Sequence, residues 1–165
     1  MNSAHYHLLV NHLPILGTLF GLLILIVGFV AKNVAVKRTG LGLLIFAAIS
    51  VFPAHITGEG AEDMLRDMEG IDRNYVHEHE EATDTFMGIL IALGVIAIFT
   101  LVVDLLQKKF ASVLYILTIV FSLITMLFAQ KAGTTGGEIR HPEIRGTVSQ
   151  QNTDGIPSEA NNDND

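Results

Sequence analysis

Apolar positions along this chain come in four long runs, not at alternating or helically spaced intervals. Leu13–Ala31 and Thr85–Val103 are each 19 residues without a charged side chain, and Phe110–Gln130 is 21. Thr39–Gly58 has His55 as its one ionisable member. A bilayer core about 30 Å thick is crossed by roughly 20 helical residues, so each run is long enough to span it. None carries the polar stripe at a 3.6-residue period that marks a helix with one wet face. The pattern predicts an all-α, four-helix transmembrane bundle with spans near residues 8–31, 39–57, 84–106 and 110–130.

Polar segments punctuate the runs. Within the connection 58–84, Glu59–Gly70 places Ala61, Met64, Leu65 and Met68 on one helical face with acids opposite. That predicts a partly helical loop lying on the bundle end. The Gly-rich stretch Gly133–Gly137 predicts a turn that folds the following residues back over the helices. From Gly146 the chain is Asn, Asp, Ser, Gln and Gly, ending in NNDND. Such a segment buries no core, so the expected organisation is a membrane domain over 1–145 and a disordered tail over 146–165. Gly17 and Gly21 form a small-xxx-small pair that suits close helix approach, although ordinary glycines in a membrane helix read the same way. Met1–Tyr6 lacks Lys and Arg, and the apolar run after it is too long for a signal peptide, so the first span is expected to be retained.

Charge adds a direction. The short connections Lys32–Arg38 and Gln107–Lys109 hold five of the 10 basic residues. By the positive-inside rule that side is cytoplasmic, which predicts N-out and C-out termini, periplasmic in a bacterial inner membrane. The outer side then holds 16 acids and 5 bases and the inner side 5 bases and Asp104, which together give the net −7. Asp104 precedes Lys108 by four residues, so a surface pair is expected there. A net acidic chain without a basic run is not built for nucleic acid. With no cysteine, thiolate metal sites, disulfides and cysteine nucleophiles are excluded.

The seven histidines change the picture most. His5, His7, His12, His55, His77, His79 and His141 all fall on the outer side or in the outermost turn of a span. His12 and His55 lie at similar depth in apolar surroundings, where an ionisable group usually marks a site and imidazole favours its neutral, metal-ligating form. Two ligation readings stay open. One is haem b held by His12 and His55, with propionates reaching Arg140 or Arg145. The other is a transition metal such as zinc, copper or iron, held by histidines among His5, His7, His12, His55, His77, His79 and His141 together with Glu59, Glu62 or Glu80, with Glu81 also in reach. A proton-relay or pH-sensing role is a third reading, and solvated or interface histidines without site chemistry a fourth. The di-iron Glu-x-x-His pair and the zincin HExxH are absent, and no serine-nucleophile or nucleotide-binding motif occurs.

The pattern His5-x-His7-x-x-x-Asn11-His12-x-Pro14, with Thr57-Gly58-Glu59-x-Ala61-Glu62 and His79-Glu80-Glu81 further on, resembles a family of uncharacterised bacterial four-helix membrane proteins. The resemblance covers roughly residues 5–130. It implies the four-span fold and draws attention to His5, His7, Asn11, His12, His55, Glu59, Glu62, His79 and Glu80, but implies no activity. The expected function is non-enzymatic: haem or metal binding at the outer face for electron transfer or metal handling. The expected partners are the lipid bilayer, membrane or periplasmic redox proteins, and further copies of the chain. The alternative is a structural subunit of a larger membrane complex.

Overall fold

The computed structural model describes residues 2–66 and 72–145. They form α1 (Ser3–Val10), α2 (His12–Val30), α3 (Val34–Arg66), α4 (Arg73–Leu105), α5 (Ala111–Glu138) and a 3-10 turn at Pro142–Ile144. α1 and α2 together make one apolar rod, and with α3, α4 and α5 they give four helical rods long and apolar enough to cross a membrane. Pro14 explains the interruption at Asn11. It lacks the N–H that would bond the Val10 carbonyl, and its ring crowds that carbonyl, so the ladder lapses one residue later.

The rods run up and down in a square. α2 packs on α3 and α5, α4 packs on α3 and α5, and α1 continues onto α3. The α2–α3 contact is made by backbone approach. A Cβ added to Gly17 would stand 2.9 Å from Ala47 Cβ, and one on Gly28 2.5 Å from the Lys37 nitrogen. Gly17 and Gly21 therefore do form a close-approach face, against α3. The α4–α5 contact is tied by hydroxyls instead. Thr100 and Thr118, both fully buried, hydrogen-bond across it at 2.9 Å. Each hydroxyl also lies against the carbonyl four residues back, so neither is stranded in the apolar interior.

The two short connections share one design. α2 ends with Lys32 at φ 52° and α4 with Gln107 at φ 52°. The N–H of Asn33 returns to the Gly28 carbonyl, and that of Lys108 to the Val103 carbonyl. This is the Schellman closure, here with a side-chain-bearing residue in the left-handed position that favours glycine. Asp104 does not pair with Lys108 as expected. It reaches across to Arg38 of α3 at 2.8 Å, because the turn at Gln107 carries Lys108 away from the α4 axis.

At the opposite, histidine-bearing end the helices outrun the apolar spans. α3 and α4 have 33 residues each. That is about 50 Å of helix for a core about 30 Å thick. The expected loop helix is thus the continuation of α3 to Arg66; the rest of that segment, 67–70, lies outside the described residues. Asp72 caps the start of α4 by accepting the Asn74 N–H at 2.9 Å. Gly133–Gly137 is not a turn either: α5 continues through it to Glu138. There the Arg145 guanidinium donates to the Glu138 and Ile139 carbonyls and lies 4.1 Å from the Tyr75 ring centre on α4. A cation closing a helix C-terminus is favourable on dipole and hydrogen-bond grounds. The expected tail 146–165 lies outside the described residues.

Candidate functional site

The helix extensions bring the histidines to one end of the bundle but sort them into separate environments. His7, on α1, lies half-buried in a recess of α3. Its Nδ1 is 3.1 Å from the Ala54 carbonyl and 3.4 Å from Thr57 Oγ1. The recess exists because α3 carries glycines there: a Cβ on Gly58 would lie 3.2 Å from the His7 ring, and one on Gly60 2.7 Å from Ser3 Oγ. A carbonyl only accepts, so His7 Nδ1 carries the proton and Nε2 keeps the lone pair.

His79, on α4, makes the matching tie to α5. Its Nδ1 is 3.0 Å from Thr135 Oγ1. The Thr135 hydroxyl donates to the Lys131 and Ala132 carbonyls at 3.1 and 3.2 Å, so its oxygen accepts from His79 Nδ1–H. Both imidazoles lie on helix ends beyond the uncharged runs Leu13–Ala31 and Thr85–Val103. Burial pushes each below the ordinary histidine value of 6.5, with His12 adding to the effect at His7 and His7 adding to it at His79. Burial thus favours the neutral form of both rings.

The remaining histidines meet carboxylates. His55 has Glu59 Oε1 3.6 Å from Nε2 and Asp84 Oδ1, on α4, 3.7 Å from Nδ1. His77 has Glu81 Oε1 3.3 Å from Nε2 and Glu80 Oε2 3.5 Å from Nδ1. In both, the two acids address opposite ring nitrogens. That arrangement suits an imidazolium donating on both sides, whereas chelation needs donors converging on one point. His141 pairs with Glu143 at 2.9 Å beyond α5.

Not every expected ligand joins. His5 is exposed on α1 and His12 is exposed on α2, where its Nδ1 meets Asn11 Oδ1. Glu62 is half-buried on the α3 extension. Arg145 is committed to the end of α5, so it is not free for a propionate. Pro14 and Gly17 are buried below His12, the latter against Ala47 of α3. Among the described residues no group of three or more His, Asp and Glu side chains is placed to hold a metal ion.

Asp84, Thr57 and Thr135 are the members that sequence reasoning missed. Asp84 shows a faint signal, an acid at the last polar position before an apolar run. Thr57 stands only within the Thr57–Glu62 pattern, and Thr135 carries no signal, since a hydroxyl in a membrane helix usually bonds its own backbone. Compared with models of protein families, with curated proteins and with solved structures, the chain matches none.

Proposed function

We propose that this is a multi-pass membrane protein whose histidine end takes up and releases protons, so that the packing of α1 and of the α3–α4 extension follows the pH of the compartment it faces. By the charge asymmetry that compartment is the periplasm of a bacterial inner membrane, with both termini there. The observation that carries the reading is the division of the imidazoles. His55 and His77 have a carboxylate on each ring nitrogen. His7 and His79, at the same end, are half-buried and tie helix to helix through Nδ1. Acidification loads unfavourable charge onto the half-buried pair His7 and His79. The N-terminal pattern shared with the uncharacterised family falls on the same end.

Hydrogen exchange of the purified chain between pH 7.5 and 5.5 tests this. After correction for intrinsic rates, the expected result is a loss of protection in Ser3–Val10 as pH falls. It should be absent in His7→Gln with His79→Gln. Protection independent of pH overturns the proposal.

A second reading, binding of zinc or copper, is favoured by one observation. His55–Glu59 and His77–Glu81 are i,i+4 pairs, a spacing that can chelate on one helical face once the rings turn. Zinc titration by calorimetry separates the two. Heat that disappears in His55→Ala supports the metal, and no heat leaves the proton reading alone.

A further inference from the structure

A groove of about 300 Å³ at the histidine end is lined by Glu78 of α4 and by Leu127, Gln130, Lys131, Thr134, Thr135 and Glu138 of α5. Its size is at the small end of ligand sites, comparable to a headgroup. Leu127, Lys131, Thr134 and Glu138 are spaced 4, 3 and 4 residues apart, so they form one stripe up α5, with Glu78 facing from α4. The stripe crosses a boundary. Leu127, 67% exposed, belongs to the apolar run that ends at Gln130. Lys131, Thr134 and Glu138 further up the stripe are polar.

The charges in this groove are of both signs, yet they do not satisfy each other. Among the described residues, Lys131 makes no ion pair with Glu78 or Glu138. The groove thus offers carboxylate acceptors at one place, an ammonium and a hydroxyl at another, and the apolar Leu127 on the side of the membrane span. One ligand chemistry matches all three: a zwitterionic phospholipid with a primary-ammonium headgroup. Its ammonium has N–H donors for the two carboxylates, its phosphate accepts from Lys131 and Thr134, and its acyl chain runs down past Leu127. A choline headgroup has no N–H to donate, and a glycerol headgroup has no positive charge for the acids.

We propose that the α4–α5 groove binds a phospholipid of the ethanolamine class at the membrane surface. The test is native mass spectrometry of the full chain with equimolar dioleoyl-phosphatidylethanolamine, -phosphatidylcholine and -phosphatidylglycerol. The ethanolamine lipid should exceed the choline lipid by about tenfold, the low end of what one charge-assisted hydrogen bond supplies. Glu78→Gln combined with Glu138→Gln should bring that ratio to about one while helicity by circular dichroism is kept. Lys131→Gln should lower both adducts together. Equal adducts in the unaltered chain, or a preference that survives the double substitution, overturn the proposal. Binding of soluble phosphoethanolamine without lipid enrichment overturns the lipid assignment.

Discussion

The two ends of the bundle handle polar groups in opposite ways. At the basic end every short-range tie closes on backbone or on a tight pair. Both connections are Schellman turns, Arg38 meets Asp104 at 2.8 Å, and Lys37 Nζ sits 4.4 Å from the centre of the buried Tyr115 ring. At the histidine end the carboxylate contacts of His55 and His77 are longer, 3.3 to 3.7 Å, with His141–Glu143 at 2.9 Å the exception, and their members are exposed or half-buried. The glycines repeat the contrast. Gly28 and Gly40 face backbone, of Lys37 and Leu25, whereas Gly58 and Gly136 face the rings of His7 and His79. Backbone cannot step aside and a side chain can. One end is built as a fixed hinge of four helices, the other as an adjustable head.

The largest effect that could break this contrast comes from the glycines. Gly28→Ala puts a methyl 2.5 Å from the Lys37 nitrogen. Overpacking against backbone should destabilise the bundle by about 3 kcal/mol, at the upper end of the usual range. Gly58→Ala meets only the His7 ring at 3.2 Å and should cost about 1 kcal/mol, confined to α1. Unfolding in mixed detergent with denaturant, read by circular dichroism, gives the first. Proteolysis near Ser3–Val10 gives the second. Equal global losses for the two variants would remove the distinction between the ends.

How much of this was legible in the sequence follows from the same contrast. The four spans were, because an uncharged run of some twenty residues has few other uses. The partner of Asp104 was not: i,i+4 logic assumes that the helix continues, and the left-handed Gln107 ends it. The helical reach of α5 was hidden by Gly133, Gly136 and Gly137, whose low propensity predicts a turn. At Gly136 tertiary packing overrides propensity, since a Cβ there would lie 3.0 Å from the His79 ring. One-sidedness of the histidines was visible from topology. Their division into buried ties and carboxylate pairs was not, because it depends on which face of α3 and α4 each ring occupies.

A smaller effect sharpens the comparison through charge. Asp104→Ala leaves Arg38 without its 2.8 Å partner. The aspartate side chain is only 11% exposed but the arginine is 39% exposed, so water takes up part of the loss. The expected destabilisation is about 1–2 kcal/mol, between the surface and buried limits. His77→Ala removes two ion pairs rather than one, yet its ring is 71% exposed. Its effect should stay within about 0.5 kcal/mol. If counting pairs decided stability, the order of the two variants would reverse.

The smallest expected effect is the pH dependence of stability, and its sign discriminates between the ends. His7 and His79 are lowered from 6.5 by burial. Unfolding returns each to its ordinary value, so below 6.5 the unfolded chain binds more protons than the folded one, and stability rises with pH. The contribution of these two rings is therefore complete above 6.5 and is lost as pH falls from there through their lowered values. Because both rings are only partly buried, solvent screening keeps the loss well below that of Gly28→Ala. Melting of the unaltered chain at pH 7.5 and 5.5 should show a lower midpoint at the acid value. His7→Gln with His79→Gln should flatten that difference, since glutamine keeps a donor without a titrating group. Asp104→Ala should leave the difference intact, because Arg38 keeps its charge throughout the window. A slope that survives loss of both histidines would place the proton-sensitive tie elsewhere, and the fixed and adjustable ends would lose their chemical distinction.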